Sequence, residues 1–210
     1  MKIYIDEAGR WPLAWPLYVW LIIPLKKIST KNFKDSKKLS AKQREECFAE
    51  IQTLQADWKI IFSTWSVSHT KIDKYWLTKA INFAIKSWLK KLLVMLSKTE
   101  TCLPTGRHPN KKDIISLVID GNNDFWLKKD LKIAVDTIIK WDDKVPYISM
   151  ASIVAKVSRD YVMKKLHKKH PQYWFDIHKW YWTKMHYEKI KQHWISPIHR
   201  KLFLRNLKEI

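Results

Sequence analysis

The chain has 210 residues, a length that suits one domain with at most a small extension. Its 40 Lys and Arg residues outnumber its 20 Asp and Glu residues, and the resulting net charge of +20 favours a polyanionic partner, most simply a nucleic acid. A solvated, Lys-rich surface is the alternative.

Two further features limit the class of protein. Cys47 and Cys102 form no metal-ligand pattern, which excludes a disulfide framework and indicates a reducing compartment. The uncharged stretch 11–25 is too short for a membrane span and contains three prolines. No signal peptide is recognisable, because acidic residues interrupt the N-terminal segment. We therefore expect a soluble, cytoplasmic protein.

The first half of the chain alternates predicted strands and helices. Residues 2–5 alternate in the manner of a strand, and residues 17–25 form an apolar, β-branched run typical of a buried strand. A capping-box pattern opens a predicted helix over residues 40–55. A third strand is predicted over residues 59–64, and the apolar residues of 78–96 recur on one helical face.

The second half continues this alternation. Residues 114–119 predict a strand that ends on Asp120, and residues 131–137 predict another strand. Residues 146–167 predict a long helix, followed by a Lys- and His-rich end with two helices broken at residues 196–197. Alternating strands and helices predict a layered α/β domain.

Acidic residues follow several of the predicted strands. Asp6 and Glu7 follow the first, Asp120 ends another, and Asp142 lies in a turn after the last. Functional groups gather near strand ends in open α/β folds, and clustered carboxylates repel one another unless a cation lies among them. Carboxylate oxygens suit Mg²⁺ or Mn²⁺, and a pair of such ions can hydrolyse phosphodiesters. The alternative for each acid is an ordinary helix cap or a surface ion pair.

Tryptophan and glycine occur in unusual proportions. The chain has 13 Trp and only 3 Gly, or about 1.4% glycine against a usual share of about 7%. Trp11 and Trp15 precede prolines, and Trp58 and Trp141 fall in predicted turns, where glycine is normally needed. The protein is either rich in aromatic residues that stack on bases or sugars, or a UGA codon that means glycine has been translated as tryptophan. The second interpretation brings glycine to about 7.6%.

Six motifs follow one another over nearly the whole chain: residues 5–16 (IDEAGRWPLAWP), 35–40 (DSKKLS), 119–122 (IDGN), 141–160 (WDDKVP, then ASIVAKVSRD), 173–183 (YWF, then HKWYWT) and 193–200 (HWISPIHR). Together they resemble the motifs of type 2 ribonuclease H, ribonuclease HII. Seven tryptophans fall on glycines of that family: Trp11, Trp15, Trp141, Trp174, Trp180, Trp182 and Trp194. The resemblance therefore favours recoding over a stacking surface.

The resemblance implies a ribonuclease H-like α/β fold with a mixed central sheet flanked by helices. Residues 1–165 would form the catalytic domain, with a surface insertion at 98–113, where the chain is polar and broken by proline and glycine. Residues 166–210 would form a basic, helical C-terminal extension. We expect a monomer.

The resemblance also implies a catalytic and metal-binding set made of Asp6, Glu7, Asp120 and Asp142. Asp6 would bridge two Mg²⁺ or Mn²⁺ ions, and Asp142 would join it at the ion that activates water. Glu7 and Asp120 would hold the ion that stabilises the leaving 3′-oxygen. Phosphodiester hydrolysis of this kind leaves a 5′-phosphate and a 3′-hydroxyl.

The implied substrates are RNA–DNA hybrids and duplex DNA with embedded ribonucleotides, the latter in ribonucleotide excision repair. The 2′-hydroxyl distinguishes RNA from DNA. The residues expected to bind the substrate are Gly9, Arg10 and Trp11 at the 2′-hydroxyl, Tyr181 stacked on the neighbouring deoxyribose, and Lys37 and Lys38 at phosphates. If the tryptophans are real, an indole at position 11 would obstruct the loop, and the alternative is a catalytically impaired nucleic-acid-binding protein.

Overall fold

The computed structural model describes residues 1–14, 16–33, 36–98, 116–138, 145–175 and 183–205. Its strands are β1 (Lys2–Ala8), β2 (Leu17–Pro24), β3 (Ile60–Val67), β4 (Ser116–Asp120) and β5 (Ala134–Ile138). These described strands form one sheet in the order β3-β2-β1-β4-β5. The sheet is mixed, because β1, β2 and β3 pair antiparallel whereas β1, β4 and β5 run parallel.

The helices surround this sheet. They are α1 (Ala41–Ala56), α2 (His69–Tyr75), α3 (Leu77–Lys98), α4 (Leu127–Leu131), α5 (Pro146–Lys169), α6 (Lys184–His193) and α7 (Lys201–Leu204), with a 3₁₀ turn at Pro171–Tyr173. The predicted capping box opens α1: the Gln43 amide donates to Ser40 Oγ at 3.2 Å, and the Ser40 amide donates to Gln43 Oε1 at 2.8 Å. Pro146 begins α5, where its missing N–H leaves no helical bond unmade.

Helices cover both faces of the sheet because its central strands are apolar on both sides. Ile3 and Ile5 of β1 pack in one cluster with α3 residues such as Ile81. Trp20 and Ile22 of β2 pack in a second cluster with residues of α5 and α1. Side chains alternate along a strand, so these clusters lie on opposite faces. The predicted α/β fold with a mixed central sheet flanked by helices is confirmed.

Some element boundaries differ from the sequence-based predictions. The chain over 131–137 is not one strand, since α4 ends at Leu131 and β5 begins at Ala134. Helices α2 and α4 were not predicted, because with seven and five residues they are too short to show helical periodicity. The predicted insertion at 98–113 lies outside the described residues except for Lys98, which ends α3. The division at 165/166 falls within α5 and stays a prediction.

Several tryptophans have the backbone conformation of glycine. Five of the seven described non-glycine residues with positive φ are tryptophans, with φ between 53° and 64°: Trp58, Trp76, Trp126, Trp174 and Trp194. Four of these five lie at or just after the C-terminal end of a helix or 3₁₀ turn, where glycine is preferred because a Cβ is strained there. All five side chains are 42–72% exposed, so burial does not compensate for the strain.

Candidate active site

Sheet register brings two of the predicted acids together. Parallel strands β1 and β4 pair Ile5 with Ile119, so Asp6 and Asp120 follow at the same end of neighbouring strands. The Asp120 charge raises the pKa of Asp6, as expected for carboxylates at close range. Strand β5 also ends there, with Ile138 beside Asp120. The chain then leads to Asp142, which lies outside the described residues.

Asp6 lies at the interface between β1 and α5. Its Oδ1 accepts a hydrogen bond from the Glu7 amide at 2.8 Å, and its side chain is also hydrogen-bonded by Ser152 of α5. Burial, and secondly the Asp120 charge, raise the pKa of Asp6 to about 7, although these hydrogen bonds and Lys156 oppose the rise. The ionised form of Asp6 is therefore disfavoured unless a positive charge lies close to it.

The side chain of Glu7 is also largely removed from solvent. Its side chain is 6% exposed, and Oε1 accepts a hydrogen bond from Arg10 Nη1 at 3.1 Å. Its Oε2 is buried and has no hydrogen-bond partner within the described part of the chain. Burial first, and then the Asp6 charge, raise the pKa of Glu7 to about 8. When Glu7 is ionised, a cation at Oε2 would offset the hydration that this oxygen has lost.

The donor chemistry of this cluster fits a divalent metal ion. Asp6, Glu7 and Asp120 present only carboxylate oxygens, the ligands that Mg²⁺ and Mn²⁺ prefer. The raised pKa values of Asp6 and Glu7 and the unpartnered Glu7 oxygen are relieved by positive charge beside them. The described residues alone form no group of three or more His, Cys, Asp or Glu arranged to hold a metal. Asp142, the fourth predicted ligand, is not among them.

A network of hydrogen bonds among Ser36, Ser152 and Lys156 supports the side chain of Asp6. Lys156 Nζ donates to the Ser36 hydroxyl at 2.6 Å, and the Ser36 and Ser152 hydroxyls lie 2.9 Å apart. Ser36 is completely buried, and Arg44 Nη1 donates to its backbone oxygen at 3.2 Å. These contacts join the 35–40 motif to α5 and to Asp6.

No role was predicted for the residues that support Asp6, namely Ser36, Arg44, Ser152 and Lys156. One local signal was available, since Ser152 and Lys156 are four residues apart in a predicted helix and therefore share a face. No local signal places Ser36 beside them.

The predicted substrate-binding residues fall into two described groups. Gly9 has a φ of 89° and begins the loop after β1, where Arg10 bonds Glu7 and where Trp11 is 61% exposed. Lys37 and Lys38 are exposed next to buried Ser36. Tyr181 lies outside the described residues. The structure therefore places the loop and the lysine pair on segments that adjoin the acids and the network behind them.

Arg200 lies near the C-terminal end of the sequence and contacts the same loop. No role was predicted for it from the sequence. Its guanidinium donates to the backbone oxygens of Gly9, at 2.6 Å, and Arg10, at 2.8 Å. The resemblance included Arg200 in a motif but gave it no role.

Several curated relatives of this chain are described as ribonuclease HII. A family model described as ribonuclease HII matches residues 3–206. The chain is 35% identical to ribonuclease HII of Clostridioides difficile, over 97% of the chain and 69% of that protein. It is 36% identical to ribonuclease HII of Polynucleobacter asymbioticus, over 95% of the chain and 90% of that protein. It is 38% identical to that of Aliarcobacter butzleri, over 95% and 88%.

Solved structures agree on the fold. The ribonuclease HII of Archaeoglobus fulgidus, solved in complex with PCNA, matches with a TM-score of 0.71 and 24% identity over 100% of this chain and 98% of that chain. Ribonuclease H2 of Pyrococcus horikoshii matches with a TM-score of 0.64 and 24% identity, covering 99% and 97%. Bst-RNase HIII, solved in complex with Mn²⁺, matches with a TM-score of 0.64 and 15% identity, covering 96% and 64%.

These structures confirm the predicted ribonuclease H-like fold. The family match spans nearly the whole length of the chain, from the first strand to the final helix. The chain therefore belongs to the ribonuclease HII family and is a ribonuclease H, an endonuclease.

Proposed function

We propose that this ribonuclease H cuts the RNA strand of RNA–DNA hybrids and also cuts at single ribonucleotides embedded in duplex DNA, as in ribonucleotide excision repair. The observation that carries the proposal is the pairing of Asp6 and Asp120 at adjacent strand ends, beside the buried and unpartnered oxygen of Glu7. The net charge of +20 supports a nucleic-acid substrate, because such a substrate would otherwise be repelled by clustered carboxylates.

The acids would hold two Mg²⁺ or Mn²⁺ ions. When bound, such a pair supplies an activated water and neutralises charge on the leaving 3′-oxygen, giving a 5′-phosphate and a 3′-hydroxyl. Asp6 would contact both ions, Asp142 the one at the water, and Glu7 and Asp120 the other. The Mn²⁺ complex of Bst-RNase HIII supports a divalent ion in this fold.

Other residues would orient the acids and the substrate. Ser152 fixes the Asp6 carboxylate by a hydrogen bond, and Lys156 lowers the cost of its negative charge. The backbone of the 9–11 loop would bind the ribose 2′-hydroxyl, and Tyr181 would stack on the next deoxyribose. Exposed Lys37 and Lys38 would bind phosphates, which position a nucleic acid without reading its sequence.

Two broader predictions accompany this function. We propose that the protein acts as a monomer and that it works in the cytoplasm, where its cysteines stay reduced; Cys47 is free and buried. Within the described part of the chain, no helix has the length and apolar character needed to cross a membrane.

A catalytically impaired nucleic-acid-binding protein is the second candidate. Trp11 favours it, because this exposed indole lies in the substrate loop with the Arg10 guanidinium 5.8 Å from its ring. A side chain of this size obstructs close approach of a ribose to the backbone of the loop.

Cleavage assays separate the two functions. The substrates are an RNA–DNA hybrid and a DNA duplex with one ribonucleotide, and the proteins are the chain with its 13 tryptophans and a chain with glycine at those positions. We expect the glycine form to cut both substrates in Mg²⁺ or Mn²⁺, and the tryptophan form to cut poorly. If the folded glycine form binds both duplexes but cuts neither, the binding function is correct.

Substitution of the acids tests the assigned site. Asp6→Asn and Asp120→Asn should each abolish cleavage while hybrid binding is retained, since each removes a charge from the metal ligands and none from the duplex-binding lysines. Asp57→Asn, an exposed acid paired with Lys59, is the matched control and should cleave normally. Full activity of both site variants would show that the acids are wrongly assigned.

A further inference from the structure

Arg200 is a completely buried cation, a rare state for arginine. Besides its two bonds to the carbonyl oxygens of Gly9 and Arg10, its backbone amide donates to the Leu13 oxygen at 2.7 Å. The preceding His199 forms an isolated bridge with Ala14. The segment before α7 is therefore attached to both ends of the loop that follows β1.

The two guanidinium bonds determine which way the loop amides point. In a planar trans peptide, the C=O of one residue and the N–H of the next point in opposite directions. Since Arg200 binds the Gly9 and Arg10 oxygens from one side, the Arg10 and Trp11 amides point to the other side. The loop thus presents two neighbouring N–H donors away from Arg200, an arrangement that suits an oxygen acceptor.

The backbone of the loop at Gly9 has a conformation that a side chain would strain. Gly9 has a φ of 89°, and a Cβ at this position would lie 3.4 Å from the Pro16 oxygen and 3.9 Å from Arg200 Nη2. Burial lowers the pKa of the Arg200 guanidinium to about 9, so it keeps its charge at neutral pH. A charged donor bound to two carbonyls is stronger than a neutral one.

We propose that Arg200 is a positioning residue that holds the Gly9–Arg10 loop so that the Arg10 and Trp11 amides face the ribose 2′-hydroxyl. Arg200 itself does not touch the substrate. Arg200 therefore increases the preference for ribose over deoxyribose and does not alter the general affinity for duplexes. The proposal rests on the proposed function, because it assigns the loop to the 2′-hydroxyl.

The test compares binding to two duplexes of one sequence, with and without a single ribonucleotide, in the absence of divalent metal. The proteins are the form that cleaves the embedded ribonucleotide, its Arg200→Met and Arg200→Lys variants, and Lys59→Met. Lys59 is the matched control, because it precedes β3 at the end of the sheet opposite the loop. Thermal unfolding establishes which variants fold.

Arg200→Met should lower the preference for the ribonucleotide duplex about tenfold, as expected for two lost charged hydrogen bonds, and leave affinity for all-DNA duplex nearly unchanged. Arg200→Lys should restore part of the preference, and Lys59→Met should retain all of it. A folded Met or Lys variant with unchanged preference overturns the role of Arg200. Failure of the Lys variant to fold also overturns it, since Arg200 would then maintain the fold as a whole. If neither the tryptophan form nor the glycine form with Arg200 intact cleaves or prefers the ribonucleotide duplex, the proposed function is wrong, whatever the role of Arg200.

A second and independent observation concerns the tryptophans themselves. Trp58, Trp76 and Trp126 have left-handed backbone conformations, yet all three lie outside the six motifs that resemble ribonuclease HII. Trp20 is 1% exposed in the middle of β2, directly opposite Asp6, and its buried indole N–H has no partner among the described residues. Such backbones and such burial suit a residue without a side chain.

We infer that the source organism makes this protein with glycine at the positions where the present sequence has tryptophan. Peptide sequencing of natively produced protein by mass spectrometry tests this directly at positions 58, 76 and 126, where the resemblance gives no information. Glycine is expected at all three. Tryptophan at any of them overturns the inference, and the cleavage assays of the proposed function do not depend on that result.

Discussion

Single buried carboxylates dominate the energetics of the site. Asp6 and Glu7 have pKa values raised to about 7 and about 8, in each case mainly by burial. In the unfolded chain these groups ionise near pH 4. Below that pH both carboxyl groups are protonated in the folded and in the unfolded protein, so the stability of the folded protein is not reduced. As pH rises, the unfolded chain ionises first, so the stability contributed by the neutral groups is lost up to about pH 8.

In EDTA the protein should therefore become steadily less stable between pH 4 and pH 8 through these two groups. Adding Mn²⁺ should raise the Tm more at pH 8 than at pH 5, because protons compete with the metal for the same oxygens. Thermal unfolding in EDTA and in Mn²⁺ measures both effects. Asp6→Asn should reduce the pH dependence and Asp57→Asn should not; equal slopes in all three proteins would contradict the assignment.

Backbone strain at tryptophan is the second effect of single residues. Trp76→Gly and Trp194→Gly should each stabilise the chain by about 1 kcal/mol, since glycine adopts φ values of 63–64° without a Cβ clash. Urea unfolding measures the change. Leu92→Ala is the control: this residue is 3% exposed within α3, so its loss should destabilise the chain by about 2–5 kcal/mol. Destabilisation at positions 76 and 194 would show that their indoles contribute more than the strain costs.

Helix α5 is the element that connects the core to the site. Its N-terminal half packs against β1 and β2 through buried residues such as Met150 and Ile153. The same half carries Ser152 and Lys156 towards Asp6 and Ser36. Packing of this helix on the sheet therefore places a hydrogen-bond partner and a cation beside the Asp6 carboxylate.

Ser152→Ala should lower kcat about tenfold while leaving KM nearly unchanged, because it releases Asp6 without altering substrate contacts. The Ser152 hydrogen bond lowers the pKa of Asp6, so its loss should move the acidic limb of the pH–rate profile to higher pH. Steady-state kinetics over a pH series measures both. Ser158→Ala, on the same helix, is the matched control. An unshifted acidic limb in Ser152→Ala would rule out this support of Asp6.

Charge acts over the whole molecule. With a net charge of +20, duplex binding should weaken steeply as salt rises, through release of counterions from phosphates. The double variant Lys37→Gln/Lys38→Gln should reduce the slope of log K against log salt by about 2. Lys59→Gln/Lys86→Gln removes the same charge from two ion pairs elsewhere and should leave the slope nearly unchanged. Binding titrations at several salt concentrations measure these slopes. An equal reduction of the slope in both double variants would indicate that the charge acts diffusely and not through Lys37 and Lys38.

Helices and strands were predictable where the sequence shows a local pattern, such as a capping box or a regular spacing of apolar residues. The capping box at Ser40 predicted α1, and the apolar periodicity of 78–96 predicted α3. Helices α2 and α4 were not predictable, because one or two turns leave no periodic signal. The predicted acids Asp6 and Asp120 lie at the same end of neighbouring strands, and Glu7 follows Asp6 in β1. Their roles stay predictions, as do those of Asp142 and Tyr181.

The sequence by itself determined the residue types at the strand ends, the order of the motifs, and the tryptophans that occupy glycine positions. These are local properties, because they depend on neighbours along the chain. Only the tertiary structure brought Arg200 to Gly9, 191 residues away, and Lys156 to Ser36, 120 residues away. Such contacts depend on strand order and helix packing, which arise from the burial of the whole core and leave no trace in a local pattern.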